Sequence, residues 1–363
     1  MEKETTVRLN HLTTGYRVKG KTQEIGCGLT AELHVGEMTC LLGPNGAGKS
    51  TLLRTMAAFQ PALGGDVILQ NRSLRNYSQK ELSKTLSVVL TQNSDVRNMT
   101  VAEVLAIGRS PYTGFWGRLR ERDRKMIDKC LSWVGIEELR QRKMQTLSDG
   151  ERQKVMIAKA IAQETPIIML DEPTAFLDYP SKVAMMLLLH RLSKALRKTI
   201  FLSTHDLEHA LQISDQIWLL DQQNGLTTGI PEDLCAEGHI ETYFQREGIG
   251  FDPGTCTFSV HHDVAREVLV EGDEQSVQYQ LACRALLRNA IRPVRSMAEA
   301  QMESTRSDVA VRIPGDGSYR LVDQGQEVIC VHRIEHIIGI TSSTIVKNHI
   351  QAVRDAAHMT AFE

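Results

Sequence analysis

The fold of this 363-residue chain is decided by the stretch Gly43-Pro44-Asn45-Gly46-Ala47-Gly48-Lys49-Ser50-Thr51, whose spacing, G-x-x-x-x-G-K-S, is that of a phosphate-binding loop. Glycines let the backbone fold around an anion without Cβ clashes, so that successive N–H groups point at the phosphates. Lys49 is placed to reach the β- and γ-phosphates, and the Ser50 hydroxyl can ligate Mg²⁺. A chance match is expected in roughly 1 of 100 chains of this length. The sequence therefore predicts nucleotide binding, with the whole stretch in contact with the nucleotide.

The residues on either side of this loop have the character that such a loop requires. Apolar residues 38–42 predict a strand that enters the loop, and residues 51–56 predict a helix that leaves it. A helix that begins near Lys49 adds the positive end of its dipole to the anion site. The local context therefore supports the same prediction as the motif.

The composition indicates a large globular protein with no general affinity for polyanions. Hydrophobic residues make up 42% of the chain and the formal net charge is -2, so nucleic acid is not an expected partner. The seven cysteines are widely spaced and odd in number, which favours reduced thiols in a cytosolic protein over a disulfide framework. The first residues lack the apolar run of a signal peptide, and the longest apolar stretch, residues 183–189, is too short to cross a bilayer.

Most of the first 240 residues alternate between strand and helix patterns. Strands are predicted over residues 7–16, 29–35, 38–42, 67–69, 86–91, 167–170, 199–203 and 216–220. Helices are predicted over residues 51–56, 121–134, 150–163, 181–197 and 206–213. Residues 100–143 have helical character and begin with a capping box, Thr100 to Glu103. The pattern predicts an α/β fold with a parallel, doubly wound sheet and an all-helical insertion.

The chain changes character near residue 240. Further elements are predicted as a helix at 239–250, a glycine-rich turn at 248–254, strands at 267–270, 309–313 and 319–322, and helices at 275–289 and 327–338. We expect a nucleotide-binding domain at 1–240, with a helical subdomain at about 93–147. The extension at 241–363 is expected to contain a small α+β domain at about 260–345. Its role stays open between a structural or dimer-contact appendage and a regulatory domain.

Two carboxylates, Asp171 and Glu172, follow the apolar run at 167–170. Ligands of open α/β sheets bind outside the carboxyl ends of the strands. Asp171 can hold Mg²⁺ through its water shell, and Glu172 can orient or deprotonate an attacking water. Acids at a strand end can instead interact with a neighbouring helix N-terminus, but the phosphate-binding loop favours the catalytic interpretation.

Two further residues, His205 and Gln92, follow other predicted strands and are expected at the same edge of the sheet. His205 can contact a γ-phosphate and sense its loss, while Gln92 can reach the metal or the water. Each has a plainer interpretation. His205 can be a polar residue at a helix start, capped by Thr204 or Asp206, and Gln92 can be an ordinary loop residue.

The segment Leu147-Ser148-Asp149-Gly150-Glu151-Arg152-Gln153 opens a predicted helix. Ser148 and Glu151 fit a capping box, which indicates a well-capped helix start. The dipole and the free N–H groups of the same start also make it a second candidate anion site. The two interpretations are compatible.

Together these motifs resemble those of an ABC-type ATPase subunit over about residues 6–234, and they occur in that family's order. The matches are Walker A (43–51), the adenine-stacking aromatic (Tyr16), the Q-loop (Gln92), the LSGGQ signature (147–151), Walker B with the catalytic glutamate (167–172), the D-loop (175–178) and the switch histidine (His205). The resemblance implies a P-loop NTPase core with a parallel sheet, an antiparallel β subdomain and a helical subdomain. It also implies ATP and Mg²⁺ as ligands, with Ser50, Gln92 and Asp171 at the metal.

In that family each ATP lies between two subunits, so the resemblance implies a two-fold homodimer. Ser148, Gly150, Glu151 and Asp178 are then expected to contact the nucleotide that a second copy binds. Asp149 stands where the family usually has glycine, and Glu151 where it often has glutamine. A carboxylate near a γ-phosphate is repulsive, and Asp149 is tolerated here if its side chain points away and caps the helix, leaving its backbone N–H for the phosphate.

A narrower resemblance lies in the helical block. Residues 104–112, residues 114–117 and Ser181 are similar to those of importers of iron–siderophore, haem and cobalamin. This implies two copies beneath two membrane permeases, on the cytoplasmic face of the cell membrane or inner membrane, with an external binding protein delivering the substrate.

Two other classes remain open: a soluble ABC ATPase acting on ribosomes or DNA, and a nucleotide-dependent regulator. The single ATPase domain and the lack of a heptad pattern between residues 92 and 147 count against the first. The presence of Glu172 and His205 counts against the second.

Overall fold

The computed structural model describes residues 3–18, 21–90, 96–114, 117–244, 246, 248–260, 263–295, 309–323 and 326–342. The chain divides into two compact units, Met1–Ser259 and Val260–Glu363. Each unit has its own hydrophobic core among the described residues. We describe them separately.

The first unit combines strands and helices over its whole length. Its strands are β1 (Thr5–Val18), β2 (Lys21–His34), β3 (Met38–Leu42), β4 (Gly64–Leu69), β5 (Arg72–Ser73), β6 (Leu86–Val89), β7 (Ile167–Asp171), β8 (Thr199–Ser203), β9 (Gln216–Asp221), β10 (Gly225–Gly229), β11 (Ile249–Asp252) and β12 (Thr257–Val260), which runs to its boundary. Its helices are α1 (Lys49–Met56), α2 (Gln79–Thr85), α3 (Val101–Gly108), α4 (Glu121–Val134), α5 (Asp149–Ala162), α6 (Tyr179–Leu196), α7 (Leu207–Ile213), α8 (Pro231–Ala236) and α9 (His239–Phe244). Short 3₁₀ turns lie at Leu74–Asn76, Ser110–Tyr112, Glu137–Leu139 and Met144–Thr146.

The central sheet of this unit is parallel except at one edge. Its strand order is β10-β9-β3-β8-β7-β6, and only β10 runs antiparallel to its neighbour. Successive residues of β7 enter different cores. Ile168 and Leu170 pack on the side of α5 and α6, whereas Ile167 and Met169 pack on the side of α1. A strand covered on both faces must be apolar throughout, which is why the run 167–170 has no polar alternation.

A second, antiparallel sheet and a helical layer flank the central sheet. The antiparallel sheet has the order β2-β1-β4-β5, and its Leu9 and Leu33 pack in one core with Leu52 of α1. The helical layer consists of α3, α4 and the adjoining part of α5. The capping box from Thr100 to Glu103 starts α3 as predicted. The predicted fold class is confirmed, with a parallel sheet, an antiparallel β subdomain and a helical subdomain.

A buried arginine holds the helical layer together. The Arg109 side chain is 1% exposed and donates hydrogen bonds to Asp123 at 3.0 Å, to Glu164 at 2.6 Å and to the Ala162 carbonyl at 2.6 Å. Its guanidinium also lies 4.3 Å from the centre of the Tyr112 ring. The cluster joins α4, the end of α5 and the turn after α3. These contacts satisfy a charge that burial would otherwise strongly disfavour.

Replacing Arg109 by alanine is expected to destabilise the first unit by about 3–5 kcal/mol, because the buried Asp123 carboxylate loses its ion-pair partner. Chemical denaturation of the full chain measures this loss. Arg122→Ala is the matched control, since its side chain is 76% exposed and touches the same Glu164 at only 3.7 Å. We expect a change within about 0.5 kcal/mol for the control. Equal losses in the two variants would contradict a structural role for Arg109.

The second unit is a small sheet covered by two helices. Its elements are β13 (Arg266–Gly272), α10 (Val277–Arg288), β14 (Ile291–Val294), β15 (Val309–Ile313), β16 (Tyr319–Asp323), β17 (Gln326–Val331) and α11 (Ile334–Ser342). The strand order is β14-β13-β15-β16-β17, with β13 parallel to β14 and β15 and the remaining pairs antiparallel. Val268, Val270 and Leu286 belong to its core.

Two predicted helices were wrong in part. The region 239–250 is helical only over α9, and Ile249–Asp252 is a strand that pairs with β12. The region 327–338 begins as strand β17, whose Ile329 lies opposite Leu321 of β16, and becomes helical only at α11. In both places strand pairing, a contact with residues elsewhere in the chain, overrides the local pattern.

The apolar stretch at 183–189 lies inside α6, an 18-residue helix. Among the residues that the structure describes, no helix combines the length and the hydropathy needed to cross a membrane.

Candidate functional site

The predicted phosphate-binding loop connects β3 to α1 at the carboxyl edge of the central sheet. The loop conformation depends on glycine at two positions, Gly48 and Gly43, where other parts of the chain leave no room for a Cβ atom. Gly48 has φ 100° and a Cβ there would lie 2.4 Å from Ile25 Cγ2, while a Cβ on Gly43 would lie 2.1 Å from the Leu220 carbonyl oxygen. Any larger residue would displace the loop, so these two glycines fix its path.

The Lys49 side chain folds back over this loop. Its ammonium donates to the carbonyl oxygens of Gly43 at 2.8 Å and Pro44 at 3.2 Å. Burial lowers the pKa of Lys49, while the negative charges of Glu172 and Asp171 act in the opposite direction. The two carbonyls therefore hold the ammonium over the loop, in a position that suits an anion bound there.

One side chain of the neighbouring strand, that of Ser203, bonds both the Asp171 carboxylate and the backbone of Glu172. The Ser203 hydroxyl donates to Asp171 Oδ1 at 2.7 Å and accepts the backbone N–H of Glu172 at 3.0 Å. Asp171 and Ser203 are direct partners in the β7–β8 register, and both are buried. Sequence analysis assigned Ser203 no role. The feature of the sequence that could have pointed to Ser203 is its position at the end of a predicted strand, like that of the two acids.

Glu172 is turned towards His205 by an unusual backbone conformation. It has φ 49°, a left-handed value that non-glycine residues seldom adopt, and its backbone N–H bonds to Ser203. His205 Nε2 lies 2.5 Å from Glu172 Oε1. Strain of this kind concentrates at functional sites, where the surrounding contacts enforce it. The structure therefore brings the predicted base and the predicted switch histidine into contact.

Ser203→Ala is expected to lower the ATP turnover number by about 10-fold, because Asp171 loses the hydroxyl that orients it and the Glu172 N–H keeps only its bond to the Ser203 carbonyl. Steady-state phosphate release measures the effect. Ser87→Ala is the control, since Ser87 is equally buried in β6 and its hydroxyl bonds only away from the acids, to Thr165 at 3.0 Å. An equal loss of turnover in the control would show a general packing effect rather than a positioning role.

The remaining loop residues lie around the same edge. Tyr16 of β1 forms a 2.6 Å hydrogen bond between its hydroxyl and that of Thr51, and the residue is 38% exposed. Asn45 and Gly46 are exposed at the tip, where the Gly46 carbonyl accepts from Gln222 at 2.9 Å. Ala47 is buried, and Ser50 lies in the first turn of α1. These positions suit the contacts that the sequence predicts, whose roles stay predictions.

The predicted signature segment begins α5, within the helical layer. Ser148 and Glu151 form the expected capping box, with the Ser148 N–H donating to Glu151 at 2.8 Å. Hydrogen bonds at this helix start lower the pKa of Glu151. The Asp149 carboxylate accepts from Arg152 at 3.0 Å, which directs it along the helix surface. Its charge therefore has a local partner in Arg152, while the cap of α5 is Ser148 and not Asp149.

The predicted D-loop lies beside this segment. A Cβ on Gly150 would lie 3.7 Å from Leu177 Cδ2. Asp178 is the N-cap of α6 and accepts from the Ser181 N–H at 3.1 Å. Phe176 has φ 66° and is 86% exposed. Asp178 thus has a capping role in addition to the predicted one.

Two predicted features lie outside the described residues. Gln92 falls within residues 91–95, which follow β6, and residues 115–116 interrupt the second importer-like motif. Of the three residues predicted to hold Mg²⁺, the structure describes Asp171 and Ser50. Asp171 is an anchored carboxylate at the sheet edge and Ser50 is a hydroxyl on α1, both hard oxygen donors. Mg²⁺ keeps several waters and needs few protein ligands, so these residues fit it.

Comparison with known proteins supplies the observation that decides the family. A model of the ABC transporter family matches residues 28–175, a range that includes the loop, the signature segment and Glu172. An ABC transporter ATP-binding protein of Methanocaldococcus jannaschii is 43% identical over 207 residues, which are 57% of this chain and 71% of that protein. This chain belongs to the ABC transporter ATP-binding proteins. Members of this family bind and hydrolyse ATP, so the chain is an ABC ATPase.

Two further ABC proteins bear on function. The iron(3+)-hydroxamate import ATP-binding protein FhuC of Bacillus subtilis is 33% identical over 244 residues, covering 64% of this chain and 91% of the relative. A solved structure, the dimeric structure of a bacterial ABC transporter cassette, is 26% identical with a TM-score of 0.54, and covers 62% of this chain and 98% of that one. Each of these two proteins matches a stretch of this chain that is about as long as the first unit.

Proposed function

We propose that this ABC ATPase powers an importer of iron–siderophore complexes. One observation carries the cargo class: the similarity to an iron(3+)-hydroxamate import subunit over nearly all of that relative's length. The importer-like residues 104–112 and Ser181 support the same class. Haem and cobalamin, which similar importers carry, are the nearest alternatives.

The geometry supports a division of labour within one half of the site. The loop N–H groups and Lys49 bind the phosphates, and Tyr16 lies where it can stack on the adenine. Glu172 accepts a proton from the attacking water. His205 orients Glu172 through their 2.5 Å contact and reaches the γ-phosphate. The protein thus contributes mainly position and charge, which is what phosphoryl transfer requires.

We further propose that Mg²⁺ accompanies ATP, held by Ser50, Asp171 and Gln92. The metal neutralises charge on the phosphates when bound. The contribution of the chain is to fix Asp171 through Ser203, so that the carboxylate keeps one direction.

The second half of the ATP site is proposed to come from a second copy of this chain. Ser148, Gly150, Glu151 and Asp178 lie on the starts of α5 and α6, which are elements other than the nucleotide loop. A dimeric cassette among the similar solved structures supports this arrangement. Because one chain carries both halves, a two-fold dimer completes two sites at once.

The same proposal places this dimer beneath two permease subunits, at the cytoplasmic face of the cell membrane. The helical block from residue 92 to about 143, which we propose moves with the signature helix, is the proposed permease contact. An external binding protein delivers the substrate to the permeases.

Co-purification with the permease followed by reconstitution into proteoliposomes tests this proposal. ATP-dependent accumulation of a ferric hydroxamate is the expected result, with ferric chloride alone as the negative control. Accumulation of haem or cobalamin instead would keep the importer and overturn the cargo class. ATPase activity without binding to any permease would favour a soluble ABC ATPase, and nucleotide binding without hydrolysis would favour a regulator.

A further inference from the structure

Two cysteines of the first unit lie in direct contact, although no sequence motif connects them. The Cys256 thiol donates a hydrogen bond to the Cys235 sulfur, with the two sulfur atoms 3.1 Å apart. Cys235 is buried in α8, and Cys256 is half-buried in the turn between β11 and β12. The two residues are 21 positions apart, so folding alone brings them together.

We propose that Cys235 and Cys256 form a reversible disulfide, a modification site that joins α8 to the β11–β12 hairpin. A disulfide bond is about 2.0 Å long, so closing it from 3.1 Å requires movements of roughly one ångström. A metal ion between the sulfurs fits less well. Two Zn–S bonds of about 2.3 Å at a tetrahedral angle would keep the sulfurs about 3.8 Å apart.

The electrons of this reaction pass to a small-molecule disulfide, such as oxidised glutathione. The Cys256 thiolate attacks one sulfur of glutathione disulfide, which forms a mixed disulfide and releases one glutathione thiolate. Cys235 then attacks Cys256 Sγ and releases the second glutathione. The two protons of the protein thiols end on the two released glutathiones, and two electrons have moved from the protein to the oxidant.

The exposure of the two thiols sets the order of these steps. Cys256 is the one that an oxidant can reach, whereas Cys235 is 3% exposed. Burial raises the pKa of Cys235 to about 12, and the neighbouring Cys256 contributes to the same shift. Cys235 is therefore the less readily ionised thiol and acts second, as the resolving thiol, when its proton passes to the departing glutathione sulfur.

The hairpin that the bond would fix packs against the larger core of the first unit through Phe251, Cys256 and Phe258. Phe258 of β12 packs against Phe251 of β11 at 5.0 Å between ring centres, and against Phe244 of α9 at 6.4 Å. Cys256 itself has φ 52°, a left-handed conformation held for a non-glycine residue. The hairpin ends at Val260, where the second unit begins. The bond would therefore anchor the segment from which the second unit continues.

Thiol counting on the full chain tests the proposal. The protein is incubated with oxidised glutathione, denatured, labelled with a maleimide and digested for mass spectrometry. Of its seven thiols, two are expected to be lost to one peptide pair containing Cys235 and Cys256, and dithiothreitol is expected to restore them. Cys256→Ser is expected to lose none, whereas Cys283→Ser, which removes a half-buried thiol of the second unit, loses the same two.

Hydrogen exchange of the folded protein gives a second readout. Amides of β11 and β12 are expected to exchange about 10-fold more slowly after oxidation in the wild type, and at unchanged rates in Cys256→Ser. Retention of all seven labels, or crosslinks that join other cysteines, would overturn the proposal. Protection of both thiols by Zn²⁺ alone, without oxidant, would overturn it in favour of a metal site.

Discussion

Glu172→Gln is expected to lower the ATP turnover number by about 10²–10⁴-fold while leaving ATP binding nearly unchanged. The amide has the shape of the carboxylate and can keep a hydrogen bond to His205, whose Nε2 lies 2.5 Å from Glu172 Oε1. It cannot accept a proton from water. Phosphate release and equilibrium binding of a fluorescent ATP analogue measure the two quantities separately.

The same substitution should also stabilise the ATP-bound dimer, because ATP that is not hydrolysed stays bound between the two subunits. Glu172→Gln with Mg²⁺ and ATP is expected to elute as a dimer in size-exclusion chromatography, whereas the wild type reverts to monomer as ATP is consumed. Glu208→Gln, an exposed change on α7, is the control and should behave like the wild type. A variant that binds ATP but stays monomeric would contradict the composite site, and full turnover would assign the base elsewhere.

Lys49→Ala is expected to lower ATP turnover by at least about 10²–10³-fold and, unlike the change at Glu172, to weaken ATP binding as well. The ammonium is held over the loop by the carbonyls of Gly43 and Pro44. Its charge is thus preorganised to offset that of the phosphates in the ground state and in the transition state. Binding titrations and phosphate release on the same preparation separate the two effects.

The two variants therefore differ in one decisive readout, the ATP-stabilised dimer, which Glu172→Gln keeps and Lys49→Ala loses. Lys80→Ala, which removes an exposed lysine of α2, controls for loss of positive charge and should match the wild type. Hydrolysis that survives Lys49→Ala would point to a second site or to a contaminating ATPase.

The elements that sequence predicted best are those whose signals are local. β3, α4, β8 and β15 have the predicted bounds, because each is a short apolar run between turn residues or a strongly periodic helix with a capped start. The signature helix begins within one residue of the prediction, since the Ser148–Glu151 capping box marks it in the sequence.

The failures have a common cause. Residues 327–331 contain apolar residues at spacings that a helix also allows, and only pairing with β16 makes them a strand. The same holds for β11, which pairs with β12. The sequence of such short segments is compatible with both periodicities, and pairing with the adjacent strand of a hairpin decides between them.

The sequence by itself determined the chemistry of this protein: a phosphate-binding loop, two acids, a histidine and a capped signature helix, in an order that indicates an ABC ATPase. These features are local because a glycine loop or a capped helix start is built from consecutive residues. Only the tertiary structure decided how the acids are held, since Ser203 meets Asp171 through strand register and also accepts the backbone N–H of Glu172. The pairing of Cys235 with Cys256 is of the same kind, because burial and proximity belong to the folded chain and are encoded in no single stretch of it.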